Sequence, residues 1–197
     1  MTNELVSKIA GYVSKCFELD VARNLLYHNI EHTKDVVARC QEIATYYGLN
    51  KEETLQLLSA AWFHDIGYLY TTPAKHEEKS VEIMRTFLNK ECPADNLTVI
   101  EKMILATKRS VHPNSLSEAI LCDADTYHFG TKKFFITDEA VRQETELREG
   151  RKFHDWREQS IRLLKAHQFY TSYCQDRLNE GKQQNISMLE SQAGENR

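Results

Sequence analysis

Apolar positions recur along this chain at intervals of three and four, the spacing of a single helix face, in one segment after another. Leu5, Ile9, Val13, Cys16 and Phe17 predict a first amphipathic helix over residues 4 to 19. Val36, Val37, Cys40, Ile43, Ala44 and Tyr47 predict a second from about His32 to Tyr47, with Gly48 as its C-terminal stop. Asn50 opens a third. Glu52 and Glu53 lie in its first turn, and Leu55, Leu58, Ala61 and Trp62 form a stripe leading into His64-Asp65. Gly67 and Pro73 bracket a connection, after which Val81, Met84, Phe87 and Leu88 predict a helix over His76 to Leu88. Two more patterns follow at 97 to 107 and 115 to 129, separated by the His112-Pro113-Asn114 turn, and Gly130 closes the second. From Lys132 to Leu178 the positions of Phe134, Phe135, Ile136, Trp156, Ile161, Leu164 and Tyr170 continue the helical period.

Composition agrees with that reading. Only 7 Gly and 3 Pro interrupt 197 residues, while helix-forming Leu, Glu, Lys, Gln and Ala are plentiful, so the fold class expected is all-α. A hydrophobic content of 41% suffices for one core, and a single domain over residues 1–180 is expected. Residues 181–197 are polar, with few apolar anchors at Ile186, Met188 and Leu189, and read as a disordered tail.

Charge narrows the partners. The formal net charge is −4, with 25 basic residues spread among 29 acidic ones, so no global positive field exists to hold a nucleic-acid polymer. A small phosphorylated ligand needs only a local positive site, which a metal ion supplies. The five cysteines, Cys16, Cys40, Cys92, Cys122 and Cys174, include no CxxC pair and read as the reduced thiols of a cytoplasmic protein. No segment approaches the roughly 20 apolar residues that cross a bilayer, so no membrane segment is expected. An apolar helix face is compatible with a homodimer.

Against this background, four scattered stretches carry chemistry: Tyr27-His28-Asn29 with His32, then His64-Asp65, then Asp123 and Asp125. Imidazole nitrogen and carboxylate oxygen suit a divalent ion, and an ion with open positions both acidifies water and neutralises phosphate. His28 and His32, four residues apart, would share one face of a helical turn. His64 and Asp65 diverge by about 100° on a helix, so they share an ion only near a helix end, which Gly67 provides. Asp123 and Asp125 lie on opposite sides of a helix; Asp125 is the chosen ligand, and Asp123 reads as a solvated or capping carboxylate. A set of one His, one His-Asp pair and one Asp leaves room for water and a phosphate oxygen.

These motifs resemble the HD-domain superfamily of metal-dependent phosphohydrolases, whose fingerprint is a lone His, a His-Asp doublet and a later Asp. His32 in YHNIEHTKDVV, His64 and Asp65 in AAWFHDIGY, and Asp125 in LCDADTYHFG occupy those four positions. The resemblance implies an all-α HD-type domain with one or two divalent ions per chain, Mn, Mg, Fe, Ni or Zn. The stretch YHNIEHTKDV is also similar to the HNxxH motif of class I cyclic-nucleotide phosphodiesterases, which implies that His28 protonates the leaving oxygen. That role suits imidazole, the side chain most used as a general acid or base around neutral pH. Asp65, with two oxygens, is the residue able to bridge two ions. His76 resembles an added ligand of the binuclear HD-GYP phosphodiesterases, whose paired histidines are replaced here by Thr107 and Lys108. Ile66-Gly67-Tyr68-Leu69 stands where guanosine tetraphosphate hydrolases carry a Glu-Asp pair. Lys108 and His128 are further candidates for phosphate contact or ligand orientation. The span from Leu25 to Leu178 reads most like small bacterial HD proteins, some of them labelled Pycsar-effector-like.

The expectation is therefore a metal-dependent phosphohydrolase with a small phosphorylated, nucleotide-like substrate. Two alternatives stand beside it: a di-iron oxygenase on the same ligands, and a nucleotide-sensing domain without turnover. Tyr27, Trp62, Phe63 and Tyr68 are candidates for the floor of a base-binding pocket or for ordinary core.

Overall fold

A computed structural model describes residues 1–19 and 23–194, and among them the regular structure is helical throughout. The helices are α1 (Asn3–Cys16), α2 (Ile30–Tyr47), α3 (Lys51–Phe63), α4 (His76–Leu88), α5 (Ala94–Ala106), α6 (Leu116–Asp125), α7 (Phe134–Glu149), α8 (Trp156–Ala166) and α9 (Ser172–Gly194). Short 3-10 turns at Ile66–Leu69, Pro73–Lys75 and Tyr127–Gly130 join them. The all-α expectation holds. The chain divides into two packing units, residues 1–125 and 126–197.

Caps written in the sequence set the helix ends of the first unit. The Asn29 side chain accepts from Glu31 N and His32 N, so α2 starts at Ile30 and His28 stays outside it. At the other end Gly48 closes α2 at φ 65°, the left-handed conformation that glycine adopts without penalty. Asn50 and Glu53 form a reciprocal capping box on α3. Ser115 Oγ accepts from Glu118 N at 3.2 Å, while Glu118 accepts from Asn114 N at 2.7 Å, which starts α6 and brings its last residue to Asp125.

α3 is the axial element and packs against α1, α2, α5 and α6. It buries Leu55, Leu57, Ala60, Ala61 and Phe63, more than the one-sided stripe that the sequence suggests, as a helix surrounded by others must. Ile9, Val13, Ile43, Met84, Leu88, Ile100, Met103, Ile104, Ile120 and Leu121 complete the core around it. Each such side chain contributes about 1.5–3 kcal/mol by leaving water. The consequence for function is positional: α3 delivers His64 and Asp65 at its C-terminal end, inside the bundle.

The predicted helix over 115 to 129 stops at Asp125 instead, and Tyr127–Gly130 forms a separate turn. In the second unit that turn is pressed against α9, where a Cβ on Gly130 would stand 2.4 Å from Leu178 O. A Cβ on Gly181 would stand 2.1 Å from Gly130 O. The tail expected from residue 181 onward is accordingly the second half of α9, which runs to Gly194; residues 195–197 lie outside the described residues. Ile186 and Leu189 are buried there, and Asn185 donates to Phe129 O at 2.9 Å and Thr131 O at 3.0 Å. A polar composition misled because α9 buries polar groups by pairing them with the turn's carbonyls. No helix among the described residues is long and apolar enough to cross a membrane.

Candidate metal centre

All four expected ligands lie at helix ends. His32 is in the first turn of α2, His64 and Asp65 directly follow α3, and Asp125 is the last residue of α6. Two helix C-termini, each with partial negative charge, therefore converge where a cation would sit. One ligand atom from each of the four residues falls within 4.8 Å of the others.

His32 Nε2 stands 3.1 Å from Asp125 Oδ1 and 3.4 Å from Asp65 Oδ2. His64 Nε2 stands 3.2 Å from Asp65 Oδ2 and 3.6 Å from Asp125 Oδ1. Neighbouring ligands of an octahedral ion with bonds of about 2.1 Å stand about 3 Å apart, so the cluster is of a size to close on one. His64 Nδ1 donates to Ala61 O at 2.7 Å, which keeps the Nε2 lone pair directed at the cluster. His64 Nε2 and Asp65 Oδ2 are buried and make no hydrogen bond. Buried polar atoms without partners are costly, and an ion between them removes that cost. The residues fit a divalent metal.

Burial opposes charge on His32 and His64, yet the Asp65 and Asp125 carboxylates raise both imidazoles, His64 well above its ordinary value. Burial likewise opposes ionisation of Asp65 and Asp125, yet the imidazoles hold both carboxyls below the usual range. A proton held on either nitrogen would have to leave for a metal to bind there. Asp125 has 25% of its side chain exposed against 8% or less for the other three, so the cluster opens to solvent at Asp125.

His76, at the start of α4, joins from the other side of Asp65. Its Nε2 is 3.4 Å from Asp65 Oδ1, and its Nδ1 donates to Pro73 O at 2.6 Å. Asp65 thus presents Oδ2 to His32 and His64 and Oδ1 to His76. Burial opposes charge on His76, and Asp65 overcomes it, raising the imidazole.

His28 is not on the helical turn that its spacing to His32 suggested. It precedes the cap Asn29, and its ring centroid lies 6.1 Å from that of His32 and 3.9 Å from that of Tyr68. Lys108 follows α5 and forms an ion pair with Glu78. His128 belongs to the second unit, its ring 4.6 Å from Phe129. Asp123, expected to be solvated or capping, is fully buried, because α6 packs against α2, α3 and α5. Phe63 is core, packed on Tyr12 and Phe87, whereas Tyr27 borders the centre with its ring 4.5 Å from His32.

Sequence reasoning missed Glu77. It is buried, with Oε2 3.3 Å from His76 Nδ1 and that oxygen making no hydrogen bond. Its one signal was adjacency to His76.

Comparison with known proteins adds three findings. A crystal structure of a protein from Lactobacillus plantarum is similar, with a TM-score of 0.72 and 16% identity over 98% of this chain and 97% of that one. At that identity the likeness shows a shared fold. None of the curated proteins searched matches. Residues 29–130, which contain all four residues of the cluster, match the HD domain, a family of generally metal-dependent hydrolases. The chain belongs to the HD-domain family.

Proposed function

We propose that this protein is a metal-dependent phosphoesterase that hydrolyses a nucleotide or cyclic nucleotide. The observation that carries the proposal is the convergence of His32, His64, Asp65 and Asp125 around buried, unpartnered donor atoms, with His28 beside them. When bound, a divalent ion there supplies Lewis-acid polarisation of a phosphate oxygen and an acidified water. The four ligands hold it, and the Ala61 carbonyl keeps His64 in the tautomer that ligates. His28 gives a ring proton to the leaving oxygen as its bond to phosphorus breaks, a role worth about 10²–10⁴ in rate. The half-buried ring of Tyr27 offers a surface for a base. Lys108 reaches a phosphate only by exchanging its exposed pair with Glu78, which costs little in solvent.

A panel of linear and cyclic nucleotides with Mn²⁺, Mg²⁺ or Fe²⁺ under anaerobic conditions tests the reading. Metal-dependent release of phosphate or ring opening supports it, and complete inertness across the panel refutes it.

Asp65 facing imidazoles with both oxygens supports a second reading with two ions, His76 binding the other. Two irons per chain with oxygen-dependent product formation would favour an oxygenase on the same ligands. A nucleotide bound tightly and recovered intact would favour a sensor.

A further inference from the structure

We propose that Tyr68 is a positioning residue of this centre, its ring the spacer that holds His28 and His76 in place. The Tyr68 ring lies 3.9 Å from His28 at an interplanar angle of 14° and 4.1 Å from His76 at 32°. Two imidazoles cannot share one face of a ring at such distances, so Tyr68 is sandwiched between them.

The anchor for this sandwich is backbone. Tyr68 N donates to Asp65 O at 3.0 Å, and Gly67 N donates to Ser80 Oγ at 2.9 Å. Gly67 approaches α4 so closely that a Cβ there would stand 2.0 Å from His76 O. The turn carrying Tyr68 is therefore locked both to the ligand Asp65 and to the helix start carrying His76. His28, by contrast, precedes the cap of α2 and gains no alignment from helix geometry. The stack on Tyr68 supplies it. Offset stacking of planar rings contributes about 0.5–1.5 kcal/mol beyond burial and restricts sliding and tilting.

The inference rests on the reading of His28 as proton donor, and its chemistry yields a selective test. A donor displaced by about 1 Å loses up to about 10²-fold in rate, but only where the leaving oxygen needs its proton. The nucleotide alkoxide released from 3′,5′-cyclic AMP needs it; 4-nitrophenolate, a far weaker base, does not.

Tyr68→Phe and Tyr68→Leu are compared with wild type, using Mn²⁺ with 3′,5′-cyclic AMP and with bis(4-nitrophenyl) phosphate. Helical content is checked by circular dichroism, and the histidine ring resonances are followed by NMR. Tyr68→Phe is expected to stay within about 2-fold of wild type, because the ring remains. Tyr68→Leu is expected to lose about 30-fold in kcat on the cyclic nucleotide and less than about 3-fold on the nitrophenyl ester, with little change in KM. Its His28 and His76 ring resonances should both move. Equal losses on the two substrates would overturn the proposal, as would unmoved His28 resonances or a Tyr68→Phe protein as damaged as Tyr68→Leu. If Tyr68→Leu fails to fold, nuclear Overhauser contacts from Tyr68 to both imidazoles in the wild type decide, and their absence overturns the sandwich. If the wild type is inert on both substrates, the hydrolase reading is decided by the nucleotide panel, and the resonances and Overhauser contacts decide the positioning.

Discussion

Replacing Gly67 with alanine introduces a methyl group 2.0 Å from His76 O and 2.9 Å from Ser80 Oγ. The Ser80 hydroxyl can rotate away; the carbonyl of α4 cannot. Reaching an ordinary 3.4 Å contact requires the turn and the start of α4 to part by about 1.4 Å. Overpacking of that kind costs about 1–3 kcal/mol, and a clash with backbone belongs at the upper end. At about 2–4 °C per kcal/mol, a loss of 2–3 kcal/mol lowers the melting temperature by about 4–12 °C. Gly11→Ala is the control. Gly11 sits exposed in the middle of α1, where a Cβ meets nothing within 4 Å, so alanine should stabilise by about 0.5–1 kcal/mol and raise the midpoint by about 1–4 °C. The same chemical change thus has opposite signs at two positions. Thermal unfolding followed by circular dichroism measures both. A Gly67→Ala protein melting within 1 °C of wild type would refute the argument that close approach to His76 demands a bare Cα.

Three further outcomes follow from the centre and from α9. Asp65→Ala removes the carboxylate shared by three imidazoles; metal content by elemental analysis should fall to background and turnover should vanish. The metal-free variant should lose about 3 kcal/mol at pH 6, as for a broken buried pair; retained metal would contradict the ligand set. In the metal-free protein, His32, His64 and His76 have raised folded values, so their stabilisation is full below 6.5 and fades as pH rises through those values. Asp65 and Asp125 are depressed, so theirs is full above 3.8 and fades only as pH falls through the depressed values. Metal-free stability should therefore peak between about pH 4 and 6.5, while metal affinity by titration calorimetry should rise with pH and release protons; affinity independent of pH would contradict this. Asn185→Ala strips the donor shared by the Phe129 and Thr131 carbonyls and should cost about 1–3 kcal/mol in chemical denaturation. A disordered tail would show no change.

Much of the fold was legible along the chain because helix ends obey local rules. His76–Leu88 was bounded by its apolar period and Pro73, and Asn50-Glu53 and Gly48 announced their caps through short-range hydrogen bonding and the freedom of glycine at positive φ. The order His32, His64-Asp65, Asp125 was readable too, since ligand chemistry is a property of residue type. What sequence could not supply is distance between segments. That Asp65 turns one oxygen to His32 and His64 and the other to His76 depends on α4 meeting the turn at Gly67. That Glu77 is buried and Tyr68 lies between two imidazoles depends on the same packing. Likewise, residues 181–194 look unstructured one by one, and only the fit of Gly181 and Asn185 to the turn at Gly130 makes them helix. Local propensity acts over a few residues, whereas burial and close approach are set by whatever the rest of the chain brings alongside.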